Sequence, residues 1–253
     1  MPSPHLSIVI PAYNEVHRLP KTLDEMTAYL DQQDFDWEII VVDDGSQDET
    51  AAVARAFVRD HPAVRVIENP HRGKAFAVRT GVGQVHGAYV LFADADHATP
   101  IDEWAKLWPH FEQGYDVVIG SREGAGAVRH GEPFFRHLMG RVFNTVVRLL
   151  TVGNFQDTQC GFKAFRADVA QDVFARTRLY RDNGPETTEP MVTGFDVELL
   201  YIAVKRGYRV KDVPVHWYYS ANSKVNPLRD SWRNLKDVLS VRWNAWRGLY
   251  DTT

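Results

Sequence analysis

Cysteine is almost absent from this sequence of 253 residues, occurring once, at position 160. A single thiol excludes an internal disulfide and fits a reducing compartment. Long apolar runs are missing too. Nothing approaches the roughly 18 residues of a membrane span, and the best stretch, Val142 to Val152, is broken by Asn144 and Arg148. No positively charged lead precedes the short run Leu6 to Ile10, so no signal peptide is expected. Neither sign of charge dominates: a net charge of −4 makes no overall case for nucleic acid. Together these absences predict a cytoplasmic protein that is soluble or lies on the cytoplasmic face of a membrane without crossing it.

The composition is that of a globular protein, 44% hydrophobic and 25% charged, and the length suits one α/β domain with a sizeable core. The first 120 residues alternate β-rich runs with helical patterns. Strands are expected at Leu6–Ile10, Trp37–Val42, Val64–Glu68, Ala88–Ala93 and Asp116–Ile119. Helices are expected near Leu19–Leu30, Gln47–Asp60, Lys74–Val85 and Ile101–Gln113, with Ser46 and Glu49 as a capping box for the second. Apolar strands separated by helices imply a Rossmann-like, mostly parallel sheet with helices on both faces.

Beyond Ile119 the pattern loosens. A Gly- and Arg-rich loop, 120–133, leads to an amphipathic stretch from Phe134 to Leu150, then the segment Asp157 to Phe165 and a helix near Phe195–Arg206. A short strand near Tyr208–Val213 precedes the polar turn Ser220–Lys224. From Leu228 to Tyr250, the residues Leu228, Trp232, Leu235, Leu239, Trp243, Trp246 and Tyr250 recur at helical spacing among Arg229, Arg233, Lys236, Arg242 and Arg247. That composition suits an interfacial helix meeting anionic lipid, or equally a helix packed on the core with a solvated basic face. No internal repeat or linker marks a second domain.

The chemistry is concentrated where strands end. Asp94-Ala95-Asp96 closes the run Ala88 to Ala93, and residues two apart on an extended strand face the same side. Two like charges held that close call for a cation or a basic group, and a divalent ion carried on a substrate diphosphate is an obvious candidate, with a solvated turn of two surface aspartates as the plain alternative. Pro11-Ala12-Tyr13-Asn14-Glu15 follows the first strand, pairing an aromatic ring with a carboxylate and an amide, which suits a stacked base and its polar edge or, taken alone, a helix-entry loop. Asp43-Asp44-Gly45-Ser46 ends the second strand with two acids where a helix cap needs one oxygen. Arg72-Gly73-Lys74 is not a Walker A loop, because position 68 is Glu where that motif needs glycine. Ligands of such sheets bind beyond the carboxyl ends of the strands, which gathers these segments on one rim.

In this order the motifs resemble the GT-A glycosyltransferases of family 2. The segments Asp157-Thr158-Gln159-Cys160-Gly161-Phe162-Lys163 and Phe195-Asp196-Val197-Glu198-Leu199-Leu200 look like those of the dolichyl-phosphate β-glucosyltransferases, with the related dolichyl-phosphate mannose synthases as the rival reading. The resemblance covers about residues 6 to 225. It implies a GT-A catalytic domain over 1–225, with a nucleotide-sugar half near 1–120 and an acceptor half near 121–225, and a C-terminal amphipathic basic helix, 226–253, in the same structural unit.

The resemblance also implies roles. Pro11, Tyr13, Glu15, Asp43, Asp44, Lys74, Asp94 and Lys224 would bind the nucleotide sugar. Asp96, with Asp94, would hold Mg²⁺ or Mn²⁺ on its diphosphate. Arg122 and Arg136 would take the acceptor phosphate, as a guanidinium fork can. Asp157 is expected to orient the acceptor, its arginines or the sugar, with a base role as the second choice, because a phosphate already ionised at neutral pH needs little help from a base. Its structural alternative is an ion pair with Arg122 or Arg166. His97 is a possible ligand or a loop histidine; where the mannose synthases carry a metal-side Gln, this chain has Ala98.

The implied reaction is inverting transfer of glucose from UDP-glucose to a polyprenyl or dolichyl phosphate at a membrane surface. The alternatives are the same chemistry with GDP-mannose, a non-catalytic nucleotide-sugar-binding protein, and transfer to a sugar hydroxyl.

Overall fold

The computed structural model describes residues 5–133, 155–180, 194–219 and 227–251, with positions 137, 140, 141, 144, 145, 147, 148, 150 and 151 between the first two stretches. Nine strands are described: β1 (Leu6–Ala12), β2 (Trp37–Asp43), β3 (Val64–Glu68), β4 (Tyr89–Phe92), β5 (Val117–Ser121), β6 (Val128–His130), β7 (Lys163–Arg166), β8 (Val210–Pro214) and β9 (His216–Tyr218). The helices are α1 (Leu19–Leu30), α2 (Thr50–Val58), α3 (Lys74–Val82), α4 (Trp104–Glu112, entered by a 3₁₀ turn at Ile101–Glu103), α5 (Ala167–Arg176), α6 (Phe195–Lys205) and α7 (Pro227–Trp246).

Seven strands form one sheet in the order β3-β2-β1-β4-β7-β5-β8. All neighbours are parallel except β7, which runs antiparallel to both β4 and β5. Alternation along each strand sorts its side chains to opposite faces. Leu6, Ile8 and Ile10 of β1 and Ile39 and Val41 of β2 pack with Leu19, Leu23 and Met26 of α1 and with Trp104 and Leu107 of α4. Val9, Ile40, Val42 and Phe92 pack on the other face with Val78 of α3, Val173 of α5 and Leu199 of α6. The strands β1, β2, β4 and β5 are buried on both sides, which is why they read as continuous apolar runs. The mostly parallel sheet with helices on both faces is therefore present.

Three expectations are corrected. The predicted capping box is not formed: α2 begins at Thr50, Ser46 Oγ accepts the Asn14 N–H at 2.9 Å, and Asp48 accepts the Thr50 N–H at 2.9 Å. The polar run 46–49 thus ties two rim loops together instead of starting the helix. Next, the loop expected over 120–133 contains β6, which pairs in parallel with β9 as a separate two-stranded sheet. Lastly, the segment ending at Phe165 hides β7, the strand between β4 and β5. Among the described residues, no helix is long and apolar enough to cross a membrane.

α7 is amphipathic with an unusual polarity. Asn234, Asp237, Val238 and Val241 are buried, Val238 against Val147 and Val197. The outer side carries Trp232, Leu239, Trp243 and Trp246, between 51% and 79% exposed. Apart from Leu235, which is half-buried, the apolar positions that the sequence spaces along this helix from 232 on face outward. Tyr250 lies beyond the helix and is buried.

Candidate active site

β1, β2 and β3 end level with one another, Ala12 opposite Asp43 and Asp43 opposite Glu68. The Asp44 N–H donates to the Ala12 carbonyl at 2.8 Å, closing the rim between the first two strands. Tyr13 stacks on His71, centroids 3.7 Å apart and planes 4° apart. His71 Nδ1 lies 2.7 Å from Asp44 Oδ2, and the Asp44 carboxylate also accepts the N–H groups of Arg72 at 3.0 Å and Gly73 at 2.8 Å. Burial raises the Asp44 pKa, and these donors oppose it. Asp44 therefore holds the 71–73 loop. Asp43 Oδ2 accepts the Ser46 N–H at 3.0 Å, while its buried Oδ1 has no hydrogen-bond partner among the described residues.

The two aspartates of Asp94-Ala95-Asp96 come together by a route different from the expected one. β4 stops at Phe92, level with Val9, so the pair lies on a turn and not on extended strand. Thr22 Oγ1 of α1 donates to the Ala95 carbonyl at 2.8 Å and holds the turn. Asp94 forms an ion pair with Lys74, the first residue of α3, whose N-cap Gly73 has φ 94°. Asp96 lies 3.8 Å from Arg18, and Arg18 makes a two-point ion pair with Glu15 at 2.5 and 2.7 Å. Desolvation, then the Asp94 charge, raises the Asp96 pKa. Burial pulls the Lys74 ammonium down, but Asp94, Asp196 and Asp96 outweigh it and its pKa is raised. His97 uses both ring nitrogens inside the turn: Nδ1 meets Glu25 at 2.8 Å and Nε2 accepts the Ile101 N–H at 2.8 Å. It is a loop histidine.

A second cluster begins where β5 ends. Arg122 donates from Nε at 2.6 Å, from Nη2 at 2.9 Å and from its backbone N–H at 3.1 Å to Asp157, which is fully buried. The guanidinium also sits 5.4 Å from the Trp217 ring centroid. Desolvation opposes the charge on Asp157, but Arg122 overrides it and holds the carboxyl far below the usual range. Of the two ion-pair alternatives, Arg122 is the partner; Arg166 pairs with Asp168 and Asp116. From Asp157 the chain runs to Gly161, whose α-carbon lies against the Asp94 carboxylate. The segment 157–161 thus spans the gap between Arg122 and the Asp94–Asp96 turn. Arg136 and Lys224 lie outside the described residues.

Four residues that the sequence did not single out join this site. Arg18 links Glu15 to Asp96, and His71 stacks on Tyr13. Lys163, fully buried on β7, donates to Asp196 at 2.7 Å in the first turn of α6. The clue available was a lysine inside the run Phe162-Lys163-Ala164-Phe165 and an aspartate in the first turn of a mostly apolar helix, both of which need a partner once buried.

A family model described as "Glycosyl transferase family 2" matches residues 7–174. The chain belongs to glycosyl transferase family 2. Among curated relatives, the dolichyl-phosphate β-glucosyltransferase of Drosophila melanogaster is 38% identical, the match covering 97% of this chain and 78% of the relative. The Homo sapiens protein of that name is 35% identical with the same coverage, and that of Saccharomyces cerevisiae is 30% identical over 97% of this chain and 76% of the relative. Solved structures agree in fold. The mannosyltransferase PcManGT of Pyrobaculum calidifontis, in complex with GDP-Man and Mn²⁺, superposes with a TM-score of 0.62 at 21% identity, covering 97% of this chain and 65% of that one. Glucosyl-3-phosphoglycerate synthase of Mycobacterium tuberculosis, in complex with Mn²⁺, UDP-Glc and phosphoglyceric acid, gives 0.65 at 20% identity, covering 95% and 80%.

Proposed function

We propose that this family 2 member transfers glucose from UDP-glucose to dolichyl or polyprenyl phosphate with inversion. An acceptor phosphate oxygen attacks the anomeric carbon in line, the bond from that carbon to the UDP oxygen breaks, and UDP leaves with the electron pair. The acceptor is already an anion, so no proton has to be removed. The observation that carries this reading is Arg122, locked by buried Asp157 at one end of the segment 157–161 while the other end touches Asp94. A fixed guanidinium suits a phosphate nucleophile, and Asp157, held ionised and three times bonded to Arg122, orients it rather than acting as a base.

On the donor side, Pro11, Tyr13, Glu15, Asp43 and Asp44 would surround the nucleoside. Asp44 serves through the loop it holds, and the unpaired Asp43 oxygen suits an N–H of the base. Two carboxylates with a mutual repulsion, both hard oxygen donors, fit Mg²⁺ or Mn²⁺. Among the described residues no group of three His, Cys, Asp or Glu could hold an ion alone, so diphosphate and water oxygens would complete the shell around Asp96 and Asp94. The ion, when bound, draws charge from the departing diphosphate. Lys74 lies beside the same turn and suits a donor phosphate. The nucleotide half would comprise about residues 1–120 and the acceptor half about 121–225, with Arg136 and Lys224 in their implied roles.

The protein works in this reading as a peripheral protein on the cytoplasmic face of a membrane. The outward tryptophans of α7, beside Lys236, Arg242 and Arg247, have the composition that meets anionic lipid. The deciding experiment offers radiolabelled UDP-glucose and GDP-mannose separately with polyprenyl phosphate and partitions the products into organic solvent. Label from UDP-glucose in the organic phase is expected. Label from GDP-mannose alone would change the sugar, and label from neither would overturn the lipid-phosphate acceptor.

A further inference from the structure

α7 is remote in sequence from the site, yet its buried face reaches it directly. Asn234, 6% exposed, donates from Nδ2 to Gln159 Oε1 at 3.2 Å. The Gln159 N–H donates to Asp157 Oδ1 at 3.0 Å, and Asp157 holds Arg122. One turn further along α7, Asp237 Oδ2 accepts the Gly194 N–H and the Tyr180 hydroxyl, each at 2.7 Å, which fixes the helix against the N-terminus of α6. Three hydrogen-bonded steps therefore lead from α7 to the acceptor arginine.

The Asn234–Gln159 contact makes little sense as a source of stability. Asn234 Oδ1 and Gln159 Nε2 are both buried and have no partner among the described residues. Two amides taken out of water for one long hydrogen bond gain less than an apolar pair of the same size packed in their place. What the polar pair supplies is direction: it ties the Gln159 side chain to α7, and the Gln159 N–H is one of the donors that hold the Asp157 carboxylate. Asp157 is fully buried and its partners leave one orientation for the Arg122 fork.

We propose that Asn234 is a positioning residue for Arg122, acting through Gln159 and Asp157, so that α7 sets the geometry in which the acceptor phosphate is held. The proposal rests on the reading of Arg122 as the acceptor-phosphate residue. It also assigns the two sides of α7 separate work, with Asn234 tied to Gln159, Asp237 tied to the N-terminus of α6 and the tryptophans facing outward.

The test uses the full chain, short-chain polyprenyl phosphate in detergent and saturating UDP-glucose. Asn234→Leu should raise the acceptor KM by about tenfold, the size expected for coupled neighbours. UDP affinity by calorimetry should change by less than about twofold, because the donor rim is untouched. On an Arg122→Lys background the same substitution should have no further effect on the acceptor KM. If Asn234→Leu lowers the melting temperature, the pair Asn234→Leu with Gln159→Met removes both amides together and restores it, and it should keep the raised acceptor KM. An acceptor KM unchanged in the single and paired variants overturns the inference, as does a rise that persists in full on the Arg122→Lys background. If Arg122→Lys alone leaves the acceptor KM unaltered, the acceptor reading of Arg122 is what fails, and the inference falls with it.

Discussion

The Asp94 carboxylate fills the space that a β-carbon on Gly161 would need: an ideal Cβ there would stand 2.0 Å from Asp94 Oδ2. Two segments of the rim, one after β4 and one before β7, are thus in direct contact, and only a residue without a side chain permits it. Gly161→Ala should displace Asp94 from Lys74. The atom in the way is the end of a flexible side chain, so the stability loss should stay near 1 kcal/mol. Transfer activity should fall far more than that, with weaker UDP-glucose binding by calorimetry. Wild-type turnover in the variant would show that the position of Asp94 is not critical.

Asp96→Ala removes a hard oxygen donor from a turn, not from the core. Loss of metal-based stabilisation of the leaving group is worth several kcal/mol, so transfer should drop by at least about a hundredfold while the melting temperature holds. Titration with Mn²⁺ in the presence of UDP should show weakened ion binding. Undiminished activity with the metal chelated would refute the assignment.

Glu198 predicts how stability varies with pH. It is fully buried, accepts the Tyr250 hydroxyl at 2.7 Å and the Arg178 N–H at 2.7 Å, and burial pushes its pKa up to about 7. A carboxyl with a raised folded pKa favours the folded state fully below its unfolded value near 4.5. That contribution is lost as pH rises through 7. Between pH 4.5 and pH 7 the loss from this group is on the order of 3 kcal/mol. Glu198→Gln should flatten that part of the stability curve, measured by urea unfolding at pH 5 and pH 8. An unchanged slope would mean that Glu198 is ionised in the folded protein throughout.

Asp157 has the opposite sign. Its folded pKa is depressed, so its contribution is present above the unfolded carboxylate value near 3.8 and is lost only as pH falls through the depressed one. It therefore stays ionised across any working range. The acidic limb of kcat/KM for the acceptor should follow the second ionisation of the lipid phosphate, near pH 6. Replacing the phosphate acceptor by a phosphonate of higher pKa should move that limb upward; a limb that stays fixed would point to a protein base instead.

Trp243→Ser with Trp246→Ser should reduce sedimentation with vesicles containing anionic lipid, and Arg242→Glu should do so in a salt-dependent way, since each basic residue near such a surface contributes about 1 kcal/mol. These side chains face outward, so the melting temperature should hold. Unchanged sedimentation in both variants would exclude α7 as the lipid-facing element.

The first half of the chain was readable because its central parallel strands, buried on both faces, are continuous apolar runs that end in compact polar motifs. Val64–Glu68 and Leu19–Leu30 fall where periodicity puts them. β7 was not readable, since Lys163-Ala164-Phe165-Arg166 carries a charge at each end and becomes a central strand only because Asp196, far along the chain, pairs with Lys163. β6 and β9 are three residues each, too short for a period to show. In the site, the aspartates and Arg122 stood out as local motifs. The Tyr13–His71 stack and the Asn234–Gln159 contact did not, because nothing local marks a partner that is distant in sequence.

The lone antiparallel strand has a consequence for synthesis. β5 finds sheet neighbours only in β7 and β8, whereas β1 to β4 pair among themselves. As the chain leaves the ribosome from its N-terminus, at roughly 5–20 residues per second, the four strands that carry the donor motifs can assemble as soon as β4 is out. β5 must wait for β7. Until Lys163–Arg166 arrives, the free edges of β4 and β5 are unpaired backbone of the kind that recruits other strands. A ribosome stalled between these elements holds an aggregation-prone half sheet, and β7 is the strand that seals it.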